Sequence, residues 1–496
     1  MSGHVIKTAR YSIIILILLV VSGLMGYFIR IALAKKLSVA EYGLFYSVFA
    51  LFNFLLLFLD LGVSQGAIIK IVKYRVKNKF NEIKNLSLSI LYLQLLLATL
   101  FSAIFLLFQN FLSVHYYHAD ISRIALPFCL YFITVPITLF ISNTIYGFGK
   151  SVFQSLLDAV KNIFVLLAIL TGFYAFGLSI NAPPYAYVLS NILALLMFTP
   201  LFLKIFPNFF KLKFSFVFPA VWDTFKYGIY VTMASMGWTI ITQTDTLMLT
   251  YYSTLQNVGI YQVALPISMV LFFFAGAIGA AIYPLFSEFE AKKEFRKLSE
   301  MTSLIYSYIE IAVLPAAVVF FVYPDLIINT LFGAKFLGGI IVLQIFAIAT
   351  PVMIIGNINY IILAAIGQAK KSFKMVLFSA LLNLILNFIL IPKYGIVGAA
   401  ISSVLAFSSL FILSTIQLQR IYRFTIPYWK LIKILFSSLI FLLSIHLLKN
   451  YLRLNPFIEA VVVLAIGGLV YAGLLFATRT INLKMIKILL GLQREI

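Results

Sequence analysis

The sequence predicts an all-α, polytopic membrane protein of about fourteen transmembrane helices, on three observations. Of its 496 residues, 63% are apolar and 10% charged, and the mean hydropathy is +1.07. Soluble domains carry roughly 45–50% apolar and 25% charged residues. Apolar runs of about 18 residues or more, enough to cross a bilayer core of about 30 Å, recur along the whole chain with short polar loops between them. The runs are continuous rather than alternating, which excludes a barrel and leaves helices to satisfy the backbone in lipid.

The first run, 11–34, follows Lys7 and Arg10. It is too long for a signal-peptide core, and Ser22-Gly23-Leu24 offers no clear cleavage site, so it reads as the first span. Spans two to seven follow at 42–63, 86–112, 124–146, 152–177, 185–206 and 227–250. The remaining seven are expected at 259–284, 302–323, 339–366, 375–391, 396–416, 431–448 and 456–477. Segment 285–300, with Phe286, Phe289, Phe295 and Leu298 among Lys292, Lys293, Arg296 and Lys297, reads as an amphipathic surface helix joining two lobes.

The net charge of +22 suggests nucleic acid until its distribution is followed. With the N-terminus placed inside, about 28 of the 37 basic residues fall on alternate loops or termini, among them Lys70, Arg75, Lys77, Lys84, Lys211, Lys371 and Arg420. Outside fall Lys35, Lys36, Arg123, Lys335, Lys393, Lys449 and Arg453. This is the positive-inside bias, so both termini are expected in the cytoplasm of a cell membrane and no nucleic-acid partner is expected. Cys129, the single cysteine, lies inside the fourth span, where it reads as a packing residue rather than half of a disulfide or a zinc ligand.

The chain also repeats itself. Tyr42-Gly43-Leu44-Phe45 is similar to Val258-Gly259-Ile260-Tyr261, and Lys150-Ser151 with Ala159 and Asn162 is similar to Lys371-Ser372 with Ala380 and Asn383. The offsets, 216 and 221 residues, agree with one duplicated six-helix unit in parallel orientation. Spans thirteen and fourteen lie outside the repeat. The expected division is an N-lobe at 1–220, a C-lobe at 221–420, and 421–496 for the last two helices and tail.

At these residues the chain resembles the polysaccharide-export flippases of the multidrug/oligosaccharidyl-lipid/polysaccharide exporter superfamily. The likeness is carried by Leu37-Ser38-Val39-Ala40-Glu41-Tyr42-Gly43-Leu44-Phe45 with Asp60-Leu61-Gly62, and by Asn383-Leu384-Ile385-Leu386-Asn387 running through Pro392 to Tyr394-Gly395-Ile396-Val397-Gly398. Ser38-Val39 stands where the family commonly has Gly-Pro. The resemblance implies two six-helix lobes around a central cavity with two peripheral helices. It also implies export of a lipid-linked oligosaccharide by alternating access, with glycan-assembly proteins as partners.

Ionisable residues inside spans are the candidate sites, because each costs several kcal/mol unless paired or hydrated. They are Arg30, Asp60, Asp158, Lys161, Asp245 and Glu310. Arg30 and Lys161 are the cations that would accompany a lipid phosphate; Arg30 has snorkelling, and Lys161 pairing with Asp158, as the alternative role. Asp60, Asp245 and Glu310 would bind a coupling H⁺ or Na⁺ or line the cavity; Asp60 has helix capping as its alternative. On the seventh span Thr232, Ser235, Thr239, Thr242, Gln243, Thr246 and Thr250 share an arc of about 100°, either a cavity wall for sugar hydroxyls or a packing face.

No Gly-rich phosphate loop occurs, and no cofactor is expected. His115, His118 and Asp120 form the one rich outer loop, whose aromatic content points to an interfacial belt rather than a metal centre. The function expected is therefore a flippase, not an enzyme. A cation-coupled drug exporter of the same superfamily is the principal rival, and a membrane glycosyltransferase the more distant one.

Overall fold

The computed structural model describes residues 2–451 and 455–481. Arg453 and the tail from 482 onward lie outside the described residues. The helices, in order, are α1 (Ser2–Lys36), α2 (Val39–Asp60), α3 (Val63–Val76), α4 (Phe80–Leu107), α5 (Gln109–His115) and α6 (Ser122–Gly147). They continue with α7 (Ser151–Tyr174), α8 (Ala182–Ile205), α9 (Phe218–Tyr252), α10 (Leu255–Met269), α11 (Phe272–Ala291) and α12 (Phe295–Val322). The last are α13 (Pro324–Phe332), a 3₁₀ turn at Ala334–Gly339, α14 (Ile340–Ala365), α15 (Ala369–Tyr422), α16 (Tyr428–Tyr451) and α17 (Pro456–Ala477).

Each expected span falls on a helix. Eleven helices among the described residues are long and apolar enough to cross a membrane. One of them, labelled α15, is two helices, the eleventh and twelfth spans, meeting at a kink. Its backbone turns at Gly395 (φ 54°, ψ −127°), three residues after Pro392 removes a donor, so the expected outer loop shrinks to a bend. The seventh span is the polar 35-residue α9, and the eighth is shared by α10 and α11.

Two expectations change. Segment 285–300 is not a separate surface helix between lobes. It is the end of α11 and the start of α12, joined by a turn in which Lys293 takes a positive φ of 56°. Phe286 and Leu298, its apolar residues on either side of that turn, are fully buried at 0% exposure, which anchors both helix ends in the fold instead of against a membrane surface. The basic loop after the second span is likewise mostly helical, since α3 restarts directly after Leu61 and Gly62 adopt left-handed backbone.

Ser38, where the family commonly has glycine, starts α2 with a capping box. Its hydroxyl accepts from the Glu41 N–H at 3.2 Å, and its own N–H donates to the Glu41 carboxylate at 2.8 Å.

The described chain forms two compact units. The first comprises residues up to Gln262 together with Ala369–Ser403, and the second Val263–Gln368 together with Val404 onward. Within the first unit the repeat becomes physical: a Cβ on Gly43 would lie 1.8 Å from the Leu255 carbonyl, and one on Gly259 would lie 2.3 Å from the Val39 carbonyl. The equivalent glycines of the two copies thus let α2 and α10 touch backbone to backbone. Within the second unit, α16 and α17 pack on α12 and α13 around Phe441, Ile445, Val463 and Tyr471.

Candidate functional site

Asp245, on α9, is completely buried. Its Oδ1 accepts from the side-chain amides of Asn383, at 3.0 Å, and Asn387, at 2.7 Å. Its Oδ2 accepts from the Tyr261 hydroxyl at 2.6 Å and from the Ser403 hydroxyl. Asn383 and Asn387 are one helical turn apart on α15, so both amides reach one carboxylate, and Asn387 also donates to Asn383 Oδ1 at 3.1 Å. A charge in a bilayer is tolerated when donors surround it, and here every donor is neutral.

Beside this cluster stands a second, one residue along each helix. Gln262, next to Tyr261, donates to the Thr246 hydroxyl at 2.6 Å. Its backbone carbonyl and Oε1 accept from Arg30 of α1, at 3.1 and 3.4 Å. Arg30 also lies 4.4 Å from the centroid of the Tyr46 ring, within a wall of aromatic side chains that includes Tyr42 and Tyr187. Arg30 forms no ion pair among the described residues; its partners are Gln262 and the Tyr46 ring.

The remaining candidates are placed as follows. Lys161 lies 4.0 Å from Asp158 within α7. Asp60 accepts from the Ser64 N–H at 3.2 Å and from Gln94 at 3.4 Å, at the start of α3 and the edge of a cavity of about 190 Å³ lined by Phe58, Leu93, Val221 and Trp222. On α9, Thr239 and Thr242 are half-buried, whereas Thr246 and Thr250 are buried. The hydroxyls of Thr242, Thr246 and Thr250 donate to carbonyls of their own helix. The side chains of Thr232 and Ser235 lie outside the described residues. Glu310 belongs to the second unit, buried on α12.

In the loop after α5, Asp120 accepts from the Ser122 N–H at 2.8 Å, and Ser122 holds its carboxyl below the usual carboxylate range. His115 packs on Phe111 at 4.6 Å. Among the described residues no three His, Cys, Asp or Glu side chains are grouped to hold a metal.

The sequence profile of the polysaccharide biosynthesis protein family matches residues 9–290, more than half of the chain. The chain belongs to that family. The MatE profile matches residues 231–389. An uncharacterized membrane protein of Methanocaldococcus jannaschii is 27% identical over 93% of this chain and 94% of its own. A Haloferax volcanii protein named "Probable low-salt glycan biosynthesis flippase" is 28% identical over 50% of this chain and 52% of its own. The solved lipid II flippase MurJ, in an inward closed conformation, superposes with a TM-score of 0.75 at 19% identity, covering 93% of this chain and 98% of that one. That likeness shows the polytopic helical fold.

For this member of the polysaccharide biosynthesis protein family, a search for charged residues in spans found Asp245 and Arg30 but missed what holds them. Gln262, Tyr261 and Ser403 are neutral, so charge does not mark them. A signal was available: Gln262 interrupts an apolar run three residues after the repeated Gly259, and Asn383 and Asn387 share the spacing of one turn.

Proposed function

We propose that this protein moves a lipid-linked oligosaccharide, carried on a polyprenyl phosphate or diphosphate, across the cell membrane for surface polysaccharide or glycan assembly. The observation that carries the reading is Arg30, a cation within a membrane span whose partners are a neutral amide, a carbonyl and an aromatic ring. A guanidinium held this way can exchange weak partners for two phosphate oxygens, which a lipid phosphate needs in a medium where isolated charge is very costly. Membership of the family and the flippase naming of the Haloferax relative support the same reading. The protein acts as a transporter, not an enzyme, with residues 1–220 and 221–420 as the lobes that alternate.

Asp245 is the site for the coupling cation, H⁺ or Na⁺. Rotation of the Asn383 and Asn387 amides replaces each donor NH₂ by a carbonyl oxygen, converting a cluster that holds a bare carboxylate into oxygen ligands for a hard cation. Asn387 Oδ1 is already a buried acceptor without a partner. Because Tyr261 and Gln262 are adjacent, a shift of α10 that frees Asp245 also disturbs the hold on Arg30, which links cation and anion sites. Asp245 equally suits a cation-coupled exporter of other solutes, the reading that the MatE match favours. Flipping of a lipid-linked oligosaccharide in proteoliposomes separates the two. Arg30→Gln should slow flipping at least about tenfold while the protein still folds, and Arg30→Lys should restore it partly. Flipping by Arg30→Gln at the wild-type rate would count against the escort role.

Both termini are cytoplasmic in this reading. In a Cys129→Ala background, single cysteines at Lys77 and Asp120 should label from opposite sides of the membrane; labelling from one side would overturn the topology.

A further inference from the structure

Glu310 lies near the middle of α12 and is 4% exposed. Its Oε1 is buried without a hydrogen-bond partner, and no ion pair reaches the carboxyl among the described residues. Asp245, by contrast, has four donors. Tyr471 of α17 lies near enough to Glu310 to sense its charge, and its hydroxyl donates at 3.0 Å to the carbonyl of the adjacent Ile311. Tyr306, one turn earlier on α12, is committed to Asn359 at 2.8 Å.

Other titratable groups on helices packed against α12 are engaged elsewhere, exposed or half-buried. On α16, Lys433 donates to the Thr478 carbonyl at 3.0 Å, and Lys449 pairs with Asp325 of α13 at 3.6 Å. His446 is exposed, as is Glu290 of α11; Glu288 of α11 pairs with Lys292. Tyr360 of α14 is half-buried. Among the described residues no ion pair or hydrogen bond compensates Glu310.

We propose that Glu310 is a proton-binding site in the middle of the membrane, at the junction of α12 with α16 and α17, loaded and unloaded during the transport cycle. A carboxylate without donors is far too costly inside a bilayer, so the buried group holds its proton. Release of H⁺ to water leaves the carboxylate ionised, and that state needs water to reach it. In this proposal water reaches Glu310 where α16 and α17 part from α12, which ties proton exchange to a movement of the two helices outside the repeat. The Tyr471–Ile311 hydrogen bond ties α17 to α12 beside Glu310 in this structure.

The proposal rests on the transport reading only for its role in a cycle; the proton site itself is read without transport. In infrared difference spectroscopy of the purified protein in nanodiscs across a pH step, the wild type should show the C=O stretch of a protonated, buried carboxyl. The band should be lost in Glu310→Gln and kept in Asp245→Asn. In proteoliposomes, the flipping rate of Glu310→Gln should lose its response to an imposed pH gradient. Glu310→Gln is isosteric with the neutral acid, and an unchanged melting temperature verifies that it folds. A carboxyl band that is absent from the wild type, or that survives in Glu310→Gln, overturns the proposal. A Glu310 band in a protein that flips no glycan would instead keep the proton site and sink the flippase reading.

Discussion

In the first copy of the internal repeat, Asn162 of α7 donates to the Oγ and carbonyl oxygen of Ser22 on α1, at 2.8 and 3.2 Å. In the second copy, the equivalent Asn383 of α15 donates to a carboxylate, Asp245 of α9, at 3.0 Å. Both asparagines bridge the same pair of repeat helices, the first and fifth of a six-helix unit. The first bridge joins neutral groups that are half-buried; the second joins the completely buried Asp245 to three further donors. A polar bridge is thus part of the architecture in both copies, and only the second copy places a titratable group on it, Asp245. One carboxylate, with Asn387, Tyr261 and Ser403 around it, makes the two copies chemically unequal.

That inequality sets the largest expected effect. Replacing Asn383 and Asn387 together by Leu removes both donors from Asp245 Oδ1, and hydrogen bonds to charged groups contribute about 1.5–3 kcal/mol each. The double variant should lose roughly 3–5 kcal/mol, the cost of leaving a buried charge uncompensated, read as a lowered melting temperature in detergent. Adding Asp245→Leu to the same protein should recover most of that stability, because no charge then remains to be held. In proteoliposomes, Asp245→Asn should remove any response of flipping to imposed H⁺ or Na⁺ gradients. Full retention of that response, or no recovery in the triple variant, would show that Asp245 is only a packed polar residue.

How much of this was legible in the sequence follows from what each signal encodes. Hydropathy reports burial in lipid along the chain, so every expected span falls on a helix. It does not report how two helices join: spans eleven and twelve are two helices, as expected, but the loop expected between them is only a kink at Gly395. The amphipathic pattern of 285–300 was read as one surface helix, because period alone cannot tell a surface helix from two helix ends meeting at Lys293. Charge in a span marked Asp245 and Arg30 for energetic reasons that need no structure. Gln262 carries no charge and so gave no comparable signal, although it touches both Thr246 and Arg30. The repeated Gly43 and Gly259 were visible as similarity, but that they meet each other depends on how the two copies fold together.

The smallest expected effect sharpens the comparison most, because it asks whether the first-copy bridge has a functional share. Asn162→Leu removes two neutral hydrogen bonds to Ser22 and leaves a hydroxyl that can turn to its own helix carbonyls. Neutral interhelical hydrogen bonds in membranes average about 0.6 kcal/mol and reach about 1.7 kcal/mol, since the separated helices also find partners. The melting temperature of Asn162→Leu should therefore fall by only a few degrees, with an ordinary flipping rate and an unaltered response to ion gradients. Ser22→Ala should behave in the same way, and the two together should cost little more than either alone. A loss as large as that of the Asn383/Asn387 variant would mean that the first copy also holds a buried functional group through Asn162. A normal melting temperature with a changed ion response would place part of the coupling in the first copy. Either result would end the distinction between a structural bridge on α1 and a functional one on α9.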